Sequence, residues 1–371
     1  MKLPRHAALT SVVIAGALAL TACGSDDNSA DGSNDTSAGS GSSVSGTLNG
    51  EGSSAQKNAI EEASSSFGDD NPEAKVNYNP TGSGAGIKQF NAKQVDWAGS
   101  DSALKTEAVD GVVEADAAKE RCGGNEAWNL PMVAGPISIA YNLPGVDKLI
   151  LTPEVAAKVF LGEIKTWDDA AIAKINPGVT LPKTAISVFF RSDESGTTEN
   201  LQKYLVGAAP DAWKSEPSKV WPGKVGEGKA KSDGVSEGVK STEGGVTYVE
   251  WSYARDNKLG IAQIDNGGGA TELTGETAGA AVAAATVAGT GNDLRLKLDY
   301  ATKTAGVYPI VLVTYEVVCS KGLDADKTKL LKAYLKHLVD PATQTSLEAI
   351  GYAPLPSEIQ AKVSAAVDAI S

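Results

Sequence analysis

Three short loops combine hydroxyl residues with glycines directly ahead of predicted helices, and this combination could bind an anion. They occupy residues 52–54, 81–86 and 194–198, with the sequences Gly-Ser-Ser, Thr-Gly-Ser-Gly-Ala-Gly and Glu-Ser-Gly-Thr-Thr. The first N–H groups of a helix have no partner within the helix, and the helix dipole makes that end positive. Both can therefore face a bound anion. For any one loop, the alternative is that the hydroxyl only caps its own helix.

Arg191 stands just ahead of the third loop and is a candidate anion-binding cation. It follows the apolar segment 186–190, so it is expected at the carboxyl end of a strand, where the ligand crevices of α/β folds open. Its planar guanidinium matches two oxygens of a phosphate or a carboxylate. Asp193, two residues further on, could hold the guanidinium in place. The alternative is an ordinary surface ion pair.

Asp101 ends the segment 96–101 and would place a carboxylate beside the same anion. An ionised aspartate can only accept hydrogen bonds, so it suits an anion that still carries a proton, such as hydrogen phosphate. It would repel fully ionised sulfate, and a mispaired polar group of this kind rejects the wrong ligand. Sites that depend on such pairing discriminate by about 10⁴–10⁵. The alternative role for Asp101 is helix N-capping.

Strand-like and helix-like segments alternate from residue 47 onward. Alternation of this kind predicts an α/β fold with largely parallel sheets. The predicted strands occupy residues 47–50, 74–79, 95–100, 185–190 and 311–318, and the predicted helices occupy residues 54–67, 87–90, 197–205, 327–338, 342–350 and 358–370.

Two segments are expected to cross between domains, namely residues 137–141 and 308–310. If the chain crosses at both, one domain is discontinuous and comprises residues 47–135 plus 310–371. The other domain is then the insert 136–309. The alternative is two sequential domains.

The N-terminus is typical of an exported protein. Residues 1–22 have a basic start, an apolar core and small residues before a cleavage point, which predicts a signal peptide. Leu-Thr-Ala ahead of Cys23 resembles a bacterial lipobox, which implies lipidation of Cys23 and anchoring to the outer face of the cytoplasmic membrane. Residues 23–46 then form a tether rich in Gly, Ser and Asp. The alternative is an ordinary signal with a chance cysteine.

Charge and cysteine content exclude several classes of function. The chain has a formal net charge of −13, and removal of Lys2 and Arg5 with the signal makes the mature chain more negative. An acidic body argues against a nucleic-acid partner. Cys122 and Cys319 remain after Cys23, and in an exported chain such a pair predicts a disulfide, with two unpaired thiols as the alternative. No Cys/His cluster has the spacing of metal ligands, so neither a metal nor a cofactor is expected.

Four segments together resemble the phosphate-binding receptor of bacterial high-affinity phosphate ABC importers, with an actinobacterial member as the best fit. They are residues 81–89, 96–101, 165–169 and 191–197, and residues 141–145 and 351–356 agree with them in order and spacing. The resemblance implies a type II periplasmic-binding-protein-like fold with two α/β lobes and the ligand in the cleft between them. It also implies a monomer without enzymatic activity, which closes over inorganic phosphate and delivers it to a membrane permease with a cytosolic ATPase.

The resemblance also implies roles for individual residues. Asp101 would accept the phosphate proton, and Asp193 would orient Arg191. Ser54 and Ala55 stand where the family usually has Thr-Phe, so a hydroxyl and a backbone donor remain but the aromatic ring is lost. The donors to phosphate would be Ser54, Ala55, Ser83, Gly84, Arg191, Ser195, Gly196 and Thr197.

Besides a surface adhesin or signalling lipoprotein on the same scaffold, two other interpretations remain open at this point. A serine hydrolase would need a Gly-x-Ser-x-Gly elbow, but Thr81 and Asp193 stand two residues before Ser83 and Ser195. Its only histidine after cleavage would be His337, in a C-terminal helix. The second alternative is a receptor for sulfate, molybdate or phosphonate, against which Asp101 argues.

Overall fold

A computed structural model describes residues 44–371 apart from Asp110. The signal peptide, Cys23 and most of the predicted tether lie outside the described residues, so the predictions for them remain predictions. Within residues 44–109 and 111–371, no helix is both long enough and apolar enough to span a bilayer.

Strands and helices alternate through most of the described chain, as predicted. The strands are β1 (Gly46–Gly52), β2 (Ala74–Asn79), β3 (Trp97–Ser100), β4 (Ala108–Val109), β5 (Val112–Val113), β6 (Ala127–Tyr141), β7 (Ile150–Leu151), β8 (Ser187–Arg191), β9 (Glu227–Lys229), β10 (Gly245–Glu250), β11 (Gly260–Ile261), β12 (Gln263–Asp265), β13 (Ala270–Thr271), β14 (Thr286–Val287), β15 (Leu296–Lys297) and β16 (Val311–Cys319). The helices are α1 (Lys57–Asp70), α2 (Ser83–Asn91), α3 (Glu114–Arg121), α4 (Pro153–Phe160), α5 (Ala170–Ile175), α6 (Gly196–Ala208), α7 (Lys231–Lys240), α8 (Trp251–Asp256), α9 (Gly275–Ala283), α10 (Ala325–Val339), α11 (Pro341–Ala349) and α12 (Ser357–Asp368).

One sheet runs through both halves of the molecule in the order β2-β1-β3-β16-β6-β10-β8-β9. Strand β6 joins the halves, because residues 127–136 pair with β16 and residues 137–141 pair with β10. We call β2, β1, β3 and β16 the first half of the sheet, and β10, β8 and β9 the second half. The α/β class with mixed sheets is confirmed. The expectation of largely parallel strands was too simple, because β3, β16, β6 and β10 pair antiparallel.

The hydrophobic core is built around the two long strands, β6 and β16. Every residue of β16 is buried, as is usual for a strand covered on both faces, and its apolar sequence reads as one nearly continuous run. Helices α1 and α10 pack on the first half, while α6 and α7 pack on the second half. The change of partner along β6, between Pro136 and Ile137, falls at the start of the predicted crossing segment 137–141. The domain limits themselves stay a prediction.

Cys122 and Cys319 form a disulfide that joins the end of α3 to the end of β16, with Cα atoms 5.4 Å apart. The predicted pairing is confirmed. The bond closes a loop between residues separated by 197 positions, which restricts the unfolded chain strongly.

Replacing both cysteines by serine should therefore lower the free energy of unfolding by about 2–5 kcal/mol. Urea unfolding of the purified chain, with the native protein compared under oxidising and reducing conditions, measures this. A double variant as stable as the oxidised native chain would contradict it.

Candidate anion-binding site

The starts of several helices from the two halves meet around one buried cluster of polar side chains. Helix α2 begins at Ser83 on the first half, and the turn at residues 53–56 leads into α1. Helices α6 and α7 begin at Gly196 and Lys231 on the second half. This cluster, which we call the polar cluster, lies where the positive ends of helix dipoles from both halves converge. Its buried members are Ser53, Ser54, Ser83, Asp101, Arg191, Thr197, Asn200, Ser232, Glu250 and Thr314.

Asp101 is the centre of the first-half side of the polar cluster. Its Oδ2 accepts hydrogen bonds from Ser53 Oγ at 2.7 Å and Ser83 Oγ at 3.1 Å, and its Oδ1 accepts from Thr314 Oγ1 at 2.7 Å. The side chain is only 3% exposed. Burial raises the pKa of Asp101 to about 6, although the hydrogen bonds from Ser53 and Thr314 oppose that shift. A carboxylate whose hydrogen-bond donors are all neutral hydroxyls can still accept a hydrogen bond from a further donor.

Arg191 is the cation of the second-half side and ends β8 at the predicted place. Its Nε donates to Asp193 Oδ1 at 2.8 Å, and its Nη2 donates to Asp193 Oδ2. Burial disfavours the charge, but Asp193 outweighs that effect and raises the pKa of the guanidinium. The Nη1 group is directed into the polar cluster, where Ser232 Oγ lies at 3.3 Å and Thr197 Oγ1 at 3.5 Å. Asp193 thus holds the Nε and Nη2 edge of Arg191, while Nη1 faces the hydroxyls of Ser232 and Thr197.

The two serines of the first loop face different partners. Ser53, which was not predicted as a site residue, donates a hydrogen bond from its hydroxyl to Asp101. The Ser54 hydroxyl lies 2.9 Å from Ser232 Oγ and accepts from the Ser232 N–H at 3.1 Å. Ser54 therefore contacts the start of α7 across the cleft. A hydroxyl in the first turn of a helix, in the segment 230–234, was the available signal for Ser232.

Two predicted backbone donors are occupied in this conformation. The Gly84 N–H donates to the Glu194 carbonyl at 3.1 Å, and the Ala55 N–H donates to Ser53 Oγ at 3.0 Å. The glycines of the second loop allow the two halves to approach closely, because a Cβ on Gly82 would lie 2.6 Å from Asp193 Oδ2. Each amide would have to exchange its partner before it could donate to an anion.

The start of α6 presses directly against Asp101. A Cβ on Gly196 would lie 2.7 Å from both Asp101 Oδ2 and Ser83 Oγ, which no real side chain tolerates. Ser195 caps the helix, because its Oγ accepts from the Thr198 N–H at 3.2 Å. Glycine at 196 is therefore required for the two halves to meet here.

Three polar groups of the cluster could not be recognised in the sequence as site residues. Thr314 and Glu250 lie in strongly apolar strands. The sequence shows only that each is a polar residue within an apolar run. Thr197 Oγ1 donates to Glu250 Oε1 at 2.6 Å. Asn200, one turn into α6, donates from Nδ2 to the Asp101 carbonyl at 2.8 Å and so joins the two halves.

A buried ion cluster lies beside the site. Glu199 is fully buried and accepts from Lys105 Nζ at 2.5 Å, Lys203 Nζ at 2.9 Å and Ser102 Oγ at 2.9 Å. Burial alone would raise the pKa of Glu199, but the two lysines outweigh it and lower that pKa to about 2. Lys105 and Ser102 come from the loop after β3, so this cluster also holds the halves together.

Further ion pairs join the halves at the surface of the cleft. They are Lys57–Asp233, Lys88–Glu194 and Lys219–Glu114, with N–O distances of 3.3, 2.6 and 2.6 Å. Lys57–Asp233 and Lys88–Glu194 are exposed pairs, which contribute little energy individually, whereas Lys219–Glu114 is largely buried. Together with the burial of the polar cluster, they define a closed arrangement of the two halves.

His337 lies away from the polar cluster. Its Nε2 contacts Ser66 Oγ at 2.8 Å and Thr343 Oγ1 at 3.5 Å, and its ring packs against Phe67. The arrangement gives no triad with Ser83 or Ser195. In the portion of the chain that is described, no group of three or more His, Cys, Asp or Glu side chains could hold a metal ion.

Hydroxyls, one guanidinium and helix N-termini suit a small tetrahedral oxyanion, and Asp101 suits one that carries a proton. A site of this kind between the halves of an α/β sheet defines the class of two-lobed, periplasmic-binding-protein-like receptors. The model of the PBP superfamily domain matches residues 37–342. Curated relatives include phosphate-binding protein PstS 3 of Mycobacterium tuberculosis, 44% identical with 100% of both chains covered. Phosphate-binding protein PstS of Xylella fastidiosa is 32% identical over 78% of this chain and 77% of its own. The chain belongs to this PstS family of the PBP superfamily.

Solved structures agree with this fold. A high-affinity periplasmic phosphate-binding protein called PfluDING, determined with bound phosphate, covers 86% of this chain and 93% of its own with a TM-score of 0.68 and 21% identity. A human phosphate-binding apolipoprotein gives a TM-score of 0.67 at 20% identity, covering 86% of this chain and 93% of its own. At these identities the likeness supports the two-lobed architecture.

Proposed function

We propose that this chain is an extracytoplasmic receptor that captures inorganic phosphate between its two halves and delivers it to an ABC-type importer. The observation that carries the proposal is the polar cluster, in which Asp101 faces the starts of α2 and α6 opposite an Arg191 pinned by Asp193. The family membership supports the same ligand.

Each side of the cluster has a distinct role in this proposal. Arg191 Nη1 neutralises phosphate charge, while Asp101 accepts a P–OH proton. Hydroxyls and amides at the helix starts complete the shell, and amides now paired across the cleft exchange those partners for phosphate oxygens. Ser53, whose hydroxyl contacts Asp101, and Ser232, whose hydroxyl contacts Arg191, are added to the predicted donors. The predicted donors are Ser54, Ala55, Ser83, Gly84, Arg191, Ser195, Gly196 and Thr197.

Capture is proposed to be a hinge motion of two lobes, residues 47–135 plus 310–371 against residues 136–309. The hinge strands would be β6 and β16. Strand β6 changes its partner from β16 to β10 between Pro136 and Ile137, and β16 begins opposite Pro136. Phosphate contacts both lobes only when they are closed, so it shifts the equilibrium towards the closed form.

Anchoring and delivery complete the proposal. Lipid on Cys23 would hold the receptor at the outer face of the cytoplasmic membrane, with residues 23–46 as a flexible tether. The partners would be the permease and ATPase subunits of a phosphate importer, and the chain would act as a monomer without catalysis of its own.

Isothermal titration of the purified chain with phosphate and with sulfate tests the proposal. We expect one phosphate per chain and an affinity about 10⁴-fold tighter than for sulfate. Sulfate binding as tight as phosphate binding would assign the site to another oxyanion, and no heat with either would refute an oxyanion receptor.

Replacing Gly196 by alanine should impair phosphate capture, because the new methyl group meets Asp101 and Ser83 when the halves close. Overpacking of this kind costs about 1–3 kcal/mol, or about 5- to 150-fold in affinity. Gly207→Ala is the matched control in the same helix, since its Cβ would have no neighbour closer than 3.6 Å. Titration of both variants with phosphate measures the difference. Equal affinities would contradict the close approach at Gly196.

A further inference from the structure

The loop after β3 carries Asp101 at its start and Lys105 at its end, and helix α6 contacts it at three points. Asn200 Nδ2 donates to the Asp101 carbonyl at 2.8 Å. Glu199 accepts from Ser102 Oγ at 2.9 Å and from Lys105 Nζ at 2.5 Å. Two neighbouring residues of the second half therefore bind the backbone, a hydroxyl and an ammonium group of one loop of the first half.

Apolar packing leaves this loop unsupported on one side. Asp101, Ser102 and Ala103 line a cavity of about 350 Å³. A chain segment beside a cavity has few neighbouring atoms to hold it there. The position of the loop relative to α6 therefore depends on its polar contacts with Glu199 and Asn200.

Glu199 needs a partner from the first half when the cleft closes. Its side chain is fully buried in the closed arrangement. Although burial opposes ionisation, the two neighbouring lysines lower the pKa of Glu199 to about 2, so it is charged at neutral pH. Lys203 lies one turn further along α6 and accompanies Glu199 in any arrangement of the halves, whereas Lys105 and Ser102 arrive with the first half. Because a buried charge is costly unless it is paired and hydrogen-bonded, closure is favourable here only when both reach Glu199.

Lys105 is also held at its backbone. Its N–H donates to Glu114 Oε2 at 3.0 Å, and Glu114 Oε1 accepts from Lys219 Nζ at 2.6 Å. Lys219 belongs to the second half, and Glu114 begins α3 on the first half. Cations and anions therefore alternate across the cleft along this chain of residues, and closure fixes both ends of Lys105.

We propose that Glu199 is a positioning residue for phosphate capture: when the halves close, it takes up Lys105 and Ser102 and so seats the loop that carries Asp101 against the start of α6. Glu199 acts through this loop rather than through contact with the ligand. The inference rests on the proposed function, because closure over phosphate is what brings the two halves together.

Glu199→Gln separates positioning from charge. Glutamine keeps the size of the side chain but loses the charge that pairs with Lys105. If Glu199 acted only through its electric field, removing a negative charge beside an anion site would strengthen phosphate binding. A positioning role predicts the opposite, and calorimetry should show phosphate affinity weakened by about 10- to 150-fold, the loss typical of a hydrogen bond to a charged group. Phosphate binding as tight as in the native chain, or tighter, would overturn the inference.

Ser102→Ala keeps the test decisive if Glu199→Gln fails to fold. The substitution removes one hydroxyl donor to Glu199 and changes no charge. Phosphate affinity should fall by about 10-fold or more. The loss should appear in stopped-flow measurements as faster release of phosphate, because the contact forms only on closure. An unchanged affinity in Ser102→Ala would equally overturn the inference.

Lys105→Met and Lys88→Met form a matched pair of lysine variants. Lys105→Met breaks the pair with Glu199 and should weaken phosphate binding, and adding Glu199→Gln to it should weaken binding little further, because both changes remove one contact. Lys88→Met breaks the exposed pair with Glu194 across the same cleft, so phosphate affinity should change by at most about fivefold. Losses that multiply in the double variant, or an equal loss in Lys88→Met, would contradict a role through Glu199.

The outcomes separate the inference from the proposed function. A native chain that binds no phosphate refutes the function. A native chain that binds phosphate, together with a Glu199→Gln chain that binds it equally well, refutes only the role of Glu199. Urea unfolding without phosphate should give midpoints close to the native one, because Lys105 and Ser102 leave Glu199 when the halves open. A midpoint that falls in step with the affinity would assign Glu199 to fold stability and overturn the inference.

Discussion

Arg191→Ala is expected to weaken phosphate binding by about 30- to 4,000-fold. Truncating one partner of a buried charge pair typically costs about 2–5 kcal/mol, partly because the other charge is left unpaired. Here the abandoned partner is Asp193, whose pKa is lowered because pairing with Arg191 outweighs its burial. The variant would also lose the one cation of the polar cluster, and with it the Nη1 contact to phosphate.

Arg255→Ala is a suitable control for this variant. Arg255 is an exposed arginine that stacks on Trp251, with its guanidinium carbon 5.1 Å from the ring centre. Its loss should leave phosphate affinity unchanged. Titration calorimetry of both variants, with circular dichroism to verify folding, gives the comparison. An Arg191→Ala chain within threefold of native affinity would show that Arg191 is not the central donor.

Asp101→Asn is expected to remove most of the discrimination between phosphate and sulfate. The native carboxylate offers only acceptors, so it pairs with P–OH and repels a sulfate oxygen. An asparagine in the same place keeps one acceptor for the hydroxyls of Ser53, Ser83 and Thr314 and presents an N–H donor to sulfate. We expect the affinity ratio to fall by about 10²–10⁴-fold, since sites of this kind owe about 10⁴–10⁵ to correct pairing.

The pH dependence of discrimination follows from the same carboxylate. Burial raises the pKa of Asp101 to about 6, so the free site carries the acceptor form above that pH and the protonated, donating form below it. The native preference for phosphate over sulfate should therefore weaken between about pH 7 and about pH 5. Phosphate itself gains a proton over this range in both chains, so Asp101→Asn is the reference, and its preference should weaken less than that of the native chain.

Competition of sulfate against phosphate at both pH values measures these ratios. Asp211→Asn, at an exposed aspartate, is the matched control and should behave as the native chain does. An unchanged ratio in Asp101→Asn would refute the role of Asp101 as proton acceptor.

Local sequence was sufficient to predict the parts of the site that lie next to helix starts. The hydroxyl–glycine loops, Arg191 at the end of a strand and Asp193 two residues on are all encoded within short segments. The structure brings them together with Asp101. The strand at residues 311–319 was also easy to predict, because few polar residues interrupt its apolar sequence.

The rest depended on contacts that local patterns do not encode. Thr314 reaches Asp101 across 213 positions, and Glu250 reaches Thr197 across 53, so each looked like an ordinary polar residue in a buried strand. The choice between Ser53 and Ser54 depended on the turn at residues 53–56, since α1 begins only at Lys57. Strand β6 was not predicted as a strand, and residues 137–141 were predicted only as a crossing between domains. A strand seldom contains proline. Here Pro131 lies at a bulge against β16.

A crystal structure of the chain grown with phosphate tests the central claim most directly. We expect one phosphate enclosed between the halves, within hydrogen-bond distance of Arg191 Nη1, an Asp101 carboxylate oxygen and the hydroxyls of Ser83 and Thr197. Phosphate bound elsewhere, or a closed cleft in which Asp101 and Arg191 face no common ligand, would contradict it.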